Sequence, residues 1–308
     1  MYRRSSIWNR PVLPSLDFVA PIQRQIMPPP ILPSPPLEHK PVQKKVYVTP
    51  TSYEGIPSAG GGDTYASSVL QCMASLSALM DTLSACRNIS PFMKSLHTIL
   101  KTIRTKTERD VRLAAFEDFL GKVNDIGLKD FGAFRKEKNI EKDDQRFFLS
   151  MLPTINMCPG MARLFQCTQQ IAGALDTSSH LEVDWSVDLQ TALDTRKRDG
   201  HIEHAPGILM VLIESRPEAE TRTMNMNRNV VLRKAGALDD GIGYMLAAYT
   251  MQKQIGKADF HYVAATHFGA QNPNKRYPYR YFIRDGVFEH ESKGSTENPS
   301  LAFLTRIQ

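Results

Sequence analysis

Cysteine is scarce in this chain. Its four residues in 308, Cys72, Cys86, Cys158 and Cys167, form no C-x-x-C pair. They are too few to staple a chain of this length, so the sequence predicts reduced thiols in a reducing compartment. Zinc needs four converging thiolate or imidazole ligands, and no set here has that spacing. Neither a metal nor a cofactor is expected. Long hydrophobic runs are also lacking. No stretch approaches the roughly 18 apolar residues that span a bilayer, and no signal-peptide core follows Met1. The expectation is a soluble, intracellular protein, cytoplasmic or nuclear, without membrane contact. A dense basic run is missing too. The formal charge is +6 and the pI about 9.1, but the cations come in twos and threes, as at Arg3-Arg4, Lys44-Lys45, Arg196 to Arg198 and Arg233-Lys234. A nucleic-acid footprint needs one concentrated face, so direct nucleic-acid binding is not expected.

Proline is abundant and unevenly placed. Residues 1–57 hold 12 of the 20 prolines, including Pro28-Pro29-Pro30 and Pro35-Pro36. Proline removes a backbone donor and fixes φ, which excludes helix and central strand. Residues 1–54 are therefore predicted to form a disordered or polyproline-II arm, and residues 55–308 a folded domain. The arm carries Trp8 and Phe18 among its prolines, the composition of a short linear motif that docks a protein partner. Plain disorder, or an arm packed on its own domain, are the alternatives.

Within the domain, Val69, Leu70, Met73, Leu76, Met80 and Leu83 recur at three- and four-residue spacings, which predicts one helix over 65–86. Asp63 and Thr64 offer capping oxygens at its start. Further helices are predicted at 91–104, 109–126 and 143–152. From Leu181 the pattern changes to short apolar and aromatic runs, at 181–185, 207–213, 230–232, 244–249 and 279–283, which read as strands. Helices first and strands later is an α+β arrangement with two lobes.

Residues 61–72 read Gly-Gly-Asp-Thr-Tyr-Ala-Ser-Ser-Val-Leu-Gln-Cys. The stretch resembles the nucleophile motif of the ubiquitin-specific proteases, G-N-T-C-Y-M-N-S-x-L-Q-C, with Thr64 at the position of the attacking cysteine. Six more blocks follow in that family's order. Asp143-Asp-Gln-Arg-Phe147 is similar to the D-A-x-E-F box, and Leu164-Phe165 to the L-F turn after it. The segment from His180 to Leu193 resembles the strand before an s-L-x-x-x-L helix, and Pro206 to Ile213 the P-x-x-L-x-x-x-L strand. Tyr244 to Tyr249 with Phe260-His-Tyr-Val-Ala264 is similar to the block around the catalytic histidine. Arg280-Tyr-Phe-Ile-Arg-Asp285 resembles W-y-x-F-D-D, where the third catalytic residue lies. The resemblance covers residues 55–292 and implies a papain-like α+β fold with a helical thumb, a β-rich palm and fingers. Only about 20 residues separate Trp185 from Pro206, without paired cysteines, so the zinc-bearing fingers are reduced and Arg196 to Gly200 replaces their tip.

The resemblance also implies where the chemistry would be. Amide hydrolysis by a thiol needs a thiolate, an imidazole, a group to orient that imidazole and donors for the oxyanion. Thr64 stands for the thiol. Its hydroxyl is a poorer nucleophile, and catalytic threonines use their own α-amine as base, which an internal residue lacks. Its expected role is to cap the helix. Cys72, eight residues on and about 12 Å along the helix, matches a second cysteine that packs in the core. Ala59 occupies the oxyanion-donor position and brings no donor. His261 keeps the position of the catalytic histidine, with Phe260 where the family has glycine. Arg284 aligns with the orienting residue and cannot accept an imidazole N–H; a one-residue slip of register would offer Asp285 instead. The implied function is a catalytically inactive protease-like domain, a pseudoenzyme acting as a protein-interaction or scaffold module, with ubiquitin or a ubiquitin-like protein as a candidate ligand. The alternative is an atypical deubiquitinase that uses Thr64 or another residue.

Overall fold

The computed structural model describes residues 55–57, 63–105, 107–125, 143–171, 174–196, 201–214, 223–233, 241–254, 260–266, 280–283, 286–288 and 295–307. All lie within the unit Val48–Gln308. Trp8, Phe18 and the rest of the arm lie outside the described residues.

Helices come first. Helix α1 runs Thr64–Ser75, α2 Ser77–Cys86, α3 Pro91–Arg104, α4 Arg109–Asp125, α5 Asp144–Ile155 and α6 Pro159–Phe165. The single helix predicted over 65–86 is broken at Leu76, where the chain turns by 95°. Leu76 is extended at φ −88°, ψ 101°. The broken end is satisfied by Ser75 Oγ, which donates to Cys72 O at 2.6 Å, and by Arg104 Nη1, which donates to Ala74 O at 2.8 Å. Apolar spacing continues across the bend because Leu76 is itself core, so periodicity alone does not reveal the break. Capping signals are clearer elsewhere. Ser90 caps α3 by accepting from Met93 N, with Pro91 at the first helical position, and Asp143 caps α5 by accepting from the amides of Gln145 and Arg146.

Strands follow. They are β1 Cys167–Ile171, β2 Ala174–Ser178, β3 Leu181–Val183, β4 His201–His204, β5 Ile208–Ile213, β6 Thr223–Asn225 and β7 Asn229–Arg233. After them come β8 Gly241–Gln254, β9 Phe260–Thr266, β10 Arg280–Ile283, β11 Gly286–Phe288, β12 Ser295–Glu297 and β13 Pro299–Arg306. A short helix, α7 Leu189–Asp194, sits between β3 and β4 and is capped by Asp188, which accepts from Thr191 N. The main sheet has the order β11-β10-β9-β8-β13-β5-β3, with β7 also paired to β8. All its ladders are antiparallel except β3 with β5. A separate sheet has the order β2-β1-β4.

At its centre, in β5 and β13, the main sheet is buried on both faces, and side-chain alternation assigns each residue to one of them. Ile208, Met210 and Leu212 of β5 join Leu301 and Phe303 of β13 in the core shared with the helices. Leu209, Val211 and Ile213 join Ala302 and Leu304 in a second core beneath β3, β7 and α7. Helix α1 is enclosed, with 11 of its 12 residues buried. No single helix among the described residues is long and apolar enough to cross a membrane.

Two expectations about side chains need correction. Cys86 and Cys158 form a disulfide, with Cα atoms 6.2 Å apart, where the sequence predicts four reduced thiols. The bridge ties the end of α2 to the N-cap residue of α6. The two cysteines are 72 residues apart in sequence, and only the packing of α2 on α6 brings them together. Arg196, expected on an exposed tip, is buried, and its Nη1 donates to Leu193 O at 3.0 Å. Residues 197–200 lie outside the described residues.

Candidate functional site

Thr64 is the first residue of α1 and is buried. Its hydroxyl does not cap that helix. Thr64 Oγ1 instead accepts a hydrogen bond from the backbone N–H of Tyr262 at 3.3 Å, so the contact runs from the head of α1 to β9. The capping expected of Asp63 is not made either: it is the N-cap residue, but its side chain accepts no capping bond. The first turn is closed by Ser67, whose N–H donates to Asp63 O at 3.0 Å and whose hydroxyl donates to Thr64 O at 3.2 Å.

Strand β9 carries His261 immediately before Tyr262. In the ladder with β8, Tyr262 pairs with Gln252 and His261 with Lys253. The head of α1 and the backbone of His261 are therefore neighbours, held there by the Thr64–Tyr262 hydrogen bond. Strand β10 flanks β9 on the other side, with Phe282 opposite Ala264. Arg284, Asp285 and Ala59 lie outside the described residues.

Cys72 is wholly buried within α1. Burial, and then the negative charge of Asp144, hold its thiol well above the ordinary range, so it remains protonated at neutral pH. A buried, protonated thiol is neither nucleophile nor metal ligand. Cys167 is likewise pushed up, to about 11, by burial that the Arg196 cation only partly offsets. Among the described residues, no group of three or more histidine, cysteine or acidic side chains converges as metal ligands do.

A second polar cluster escapes the sequence reading. The Asp143-Asp144 pair reads as ordinary helix-start chemistry, but the two carboxylates do different work. Asp143 caps α5, whereas Asp144 points into the protein and is fully buried. Asp144 accepts from Ser300 Oγ at 2.7 Å, from Gln145 N at 2.9 Å and from Thr250 Oγ1. Burial raises its carboxyl to about 7, against the lowering effect of the Thr250 and Ser300 hydroxyls; the neighbouring charge of Asp143 raises it further. Beside it, Gln145 Nε2 donates to Ile213 O at 2.8 Å and to Ser300 O at 2.7 Å. One amide thus clamps the start of α5 to the ends of β5 and β13. The available signal is two adjacent acids opening an amphipathic helix, and no local pattern says that one of them faces inward.

Compared by sequence, the chain matches no family model and no curated protein. Compared by structure, it is similar to a SAGA DUB module of Ubp8, Sgf11, Sus1 and Sgf73 bound to monoubiquitin. That match has a TM-score of 0.63 and 15% identity, and covers 87% of this chain and 73% of the other. It is also similar to the same kind of module bound to ubiquitin aldehyde, at TM-score 0.61 and 14% identity over 83% and 70% of the two chains. An essential yeast splicing factor matches at TM-score 0.59 and 14% identity, over 83% and 70%. Identity this low speaks to fold alone. With helices packed on a mainly antiparallel sheet and the head of α1 against β9, these neighbours support a ubiquitin-specific-protease-like fold for this chain.

Proposed function

We propose that this domain has lost hydrolysis and works as a protein-interaction module. In this reading α1–α6 form the thumb, the main sheet the palm, and the small β2-β1-β4 sheet the reduced fingers. Thr64, His261, Arg284 with Asp285, and Ala59 are the former nucleophile, base, orienting and oxyanion positions. The supporting observation is the hydroxyl of Thr64 at the head of α1, engaged as acceptor to the Tyr262 N–H. A thiolate there would gain from the helix dipole. A threonine hydroxyl stays protonated and has no α-amine to deprotonate it. Cys72 offers no substitute, because its thiol is buried and protonated. Ubiquitin and ubiquitin-like proteins are the first ligands to test, since two similar structures hold ubiquitin or its aldehyde. The proposal includes an intracellular setting, where such partners occur.

The test is incubation with ubiquitin bearing a C-terminal electrophile, followed by mass spectrometry. No adduct and no cleavage of ubiquitin conjugates are expected. Thr64→Cys alone should also remain inactive toward conjugates, because Ala59 and Arg284 bring neither an oxyanion donor nor an acceptor for the imidazole. An adduct with the unmodified chain would establish the atypical deubiquitinase instead. Turnover by the single revertant would show that Thr64 is the sole lesion.

The arm is proposed to recruit the partner. Trp8 and Phe18 should become protected from proteolysis when the partner is bound. Replacing both with alanine should weaken association by about tenfold or more, the usual weight of buried aromatic anchors, without changing the thermal midpoint of the domain. Unchanged association would move docking onto the folded domain.

A further inference from the structure

Helix α3 has a one-sided charge. Between Ser77 and Thr105 the cations are Arg87, Lys94, Lys101 and Arg104, and the acids are reduced to Asp81. Lys94, His97, Lys101 and Arg104 recur at three- and four-residue steps, so they share one face of α3. Arg87, the C-cap residue of α2, lies beside His97, Lys101 and Arg104 of that face. Between the helices lies an open cleft of about 460 Å³, lined by Met80, Ser84, Arg87, His97, Lys101 and Arg104. Among the described residues, no carboxylate pairs with Arg87, Lys94 or Lys101. The concentration of positive charge is felt by His97, whose imidazole is lowered from its ordinary value first by burial and then by the Arg87 and Lys101 cations. Its Nε2 lies 3.1 Å from Ser84 Oγ.

We propose that this cleft is a docking site for an acidic peptide segment of a partner protein. Charge complementarity selects the sign of the occupant. Chemistry of the lining selects its class. Among the described residues no Phe, Tyr or Trp lines the cleft and His97 is its one ring, whereas single-stranded nucleic acid binds chiefly by stacking successive bases on several such rings. Met80 supplies instead an adaptable apolar floor. From His97 to Arg104 the helix rises about 10 Å, which about three to four residues of extended peptide would span. Two or three carboxylates at alternate positions therefore match Arg87, Lys101 and Arg104, the cations that line the cleft. Arg104 has a second duty, since it holds the broken end of α1 through Ala74 O, so it is not offered as a variant. The site lies at the far end of α1 from Thr64, roughly 15 Å along the helix. It does not depend on whether the Thr64 site turns over substrate or binds ubiquitin.

The experiment uses the full chain, a fluorescein-labelled deca-glutamate peptide and a labelled ten-nucleotide oligouridylate, with fluorescence anisotropy at low salt. The peptide is expected to bind, and to bind more tightly than the oligouridylate. Raising the salt should weaken it, because exposed charges are screened within about 10 Å at 0.1 M. The double variant Arg87→Glu with Lys101→Glu should lose at least about tenfold in affinity, and Arg87→Lys should lose little. An NMR titration of His97 in the unmodified chain gives a second reading that needs no variant: carboxylates in the cleft should raise its pKa. No peptide binding, undiminished binding by the charge-reversed variant, an unmoved His97, or tighter binding of the oligouridylate would each overturn the proposal. The last outcome would assign the cleft to phosphate backbones.

Discussion

Asp144→Asn is expected to remove a large part of the pH dependence of stability between about pH 4 and 7. In the folded protein burial lifts this carboxyl to about 7, whereas in the unfolded chain it titrates near about 4. The folded state therefore holds the proton more tightly. Its contribution is fully present below the unfolded value and is lost as pH rises through the window to about 7, at up to about 1.4 kcal/mol per pH unit. Ionised Asp144 is a buried anion next to Asp143, with Cys72 nearby, and its hydrogen bonds from Ser300, Thr250 and the Gln145 amide offset only part of its desolvation. An asparagine keeps the size of the side chain and carries no charge at any pH. Urea unfolding at pH 5 and pH 8 should show the unmodified chain losing stability at the higher pH relative to Asp144→Asn. Parallel pH profiles would sink this account. The effect falls at the junction of α5 with β5 and β13, because Gln145, the next residue, clamps both strands there. Alkaline loosening should accordingly begin between helices and sheet.

How much of this is legible in the sequence depends on where the information lies. Helix α3 is predicted over 91–104 and runs Pro91–Arg104, because Ser90, Pro91 and a clean apolar face are all local signals. Strand β5 is recognisable as a continuous apolar run, which a strand buried on both faces produces. The break at Leu76 is not legible, since Arg104, which satisfies the broken end at Ala74 O, lies 30 residues away, and Leu76 is a core side chain that preserves the apolar spacing. The Cys86–Cys158 disulfide is hidden for the same reason: only tertiary packing joins its halves. Strands β1, β2 and β4 are polar, as in Cys-Thr-Gln-Gln-Ile and His-Ile-Glu-His, and carry no alternation strong enough to see. At the site, motif order places Thr64 and the strand of His261, and the two do lie together. That Thr64 accepts from Tyr262 N–H rather than capping α1 depends on the approach of β9, which no local pattern encodes.

Strand β13 escapes the sequence reading altogether, and Phe303→Ala shows what that omission conceals. The segment Pro299–Arg306 follows the last recognisable motif, yet it lies between β8 and β5 in the main sheet. Phe303 is fully buried on the helix-facing side, edge-on to Phe148 of α5 at 5.4 Å between ring centroids. Phe148 in turn meets Phe165 of α6 edge-on at 6.3 Å. Truncation removes the ring from a site fixed by a central strand on one side and two helices on the other, so collapse around the cavity is restricted. The expected cost is about 3–5 kcal/mol, a large share of the about 5–15 kcal/mol that holds a typical domain. Phe303→Leu should recover most of it, because a leucine refills much of the volume. Val231→Ala, at a half-exposed position on β7, should stay within about 0.5 kcal/mol. Urea denaturation of the three variants measures the differences. A loss below about 1 kcal/mol for Phe303→Ala, well under the usual cost of such a truncation, would mean that β13 does not pin the helices to the sheet through its aromatic contact. The polar contacts of Ser300 with Asp144 and Gln145, on the same strand, would then have to carry the junction alone.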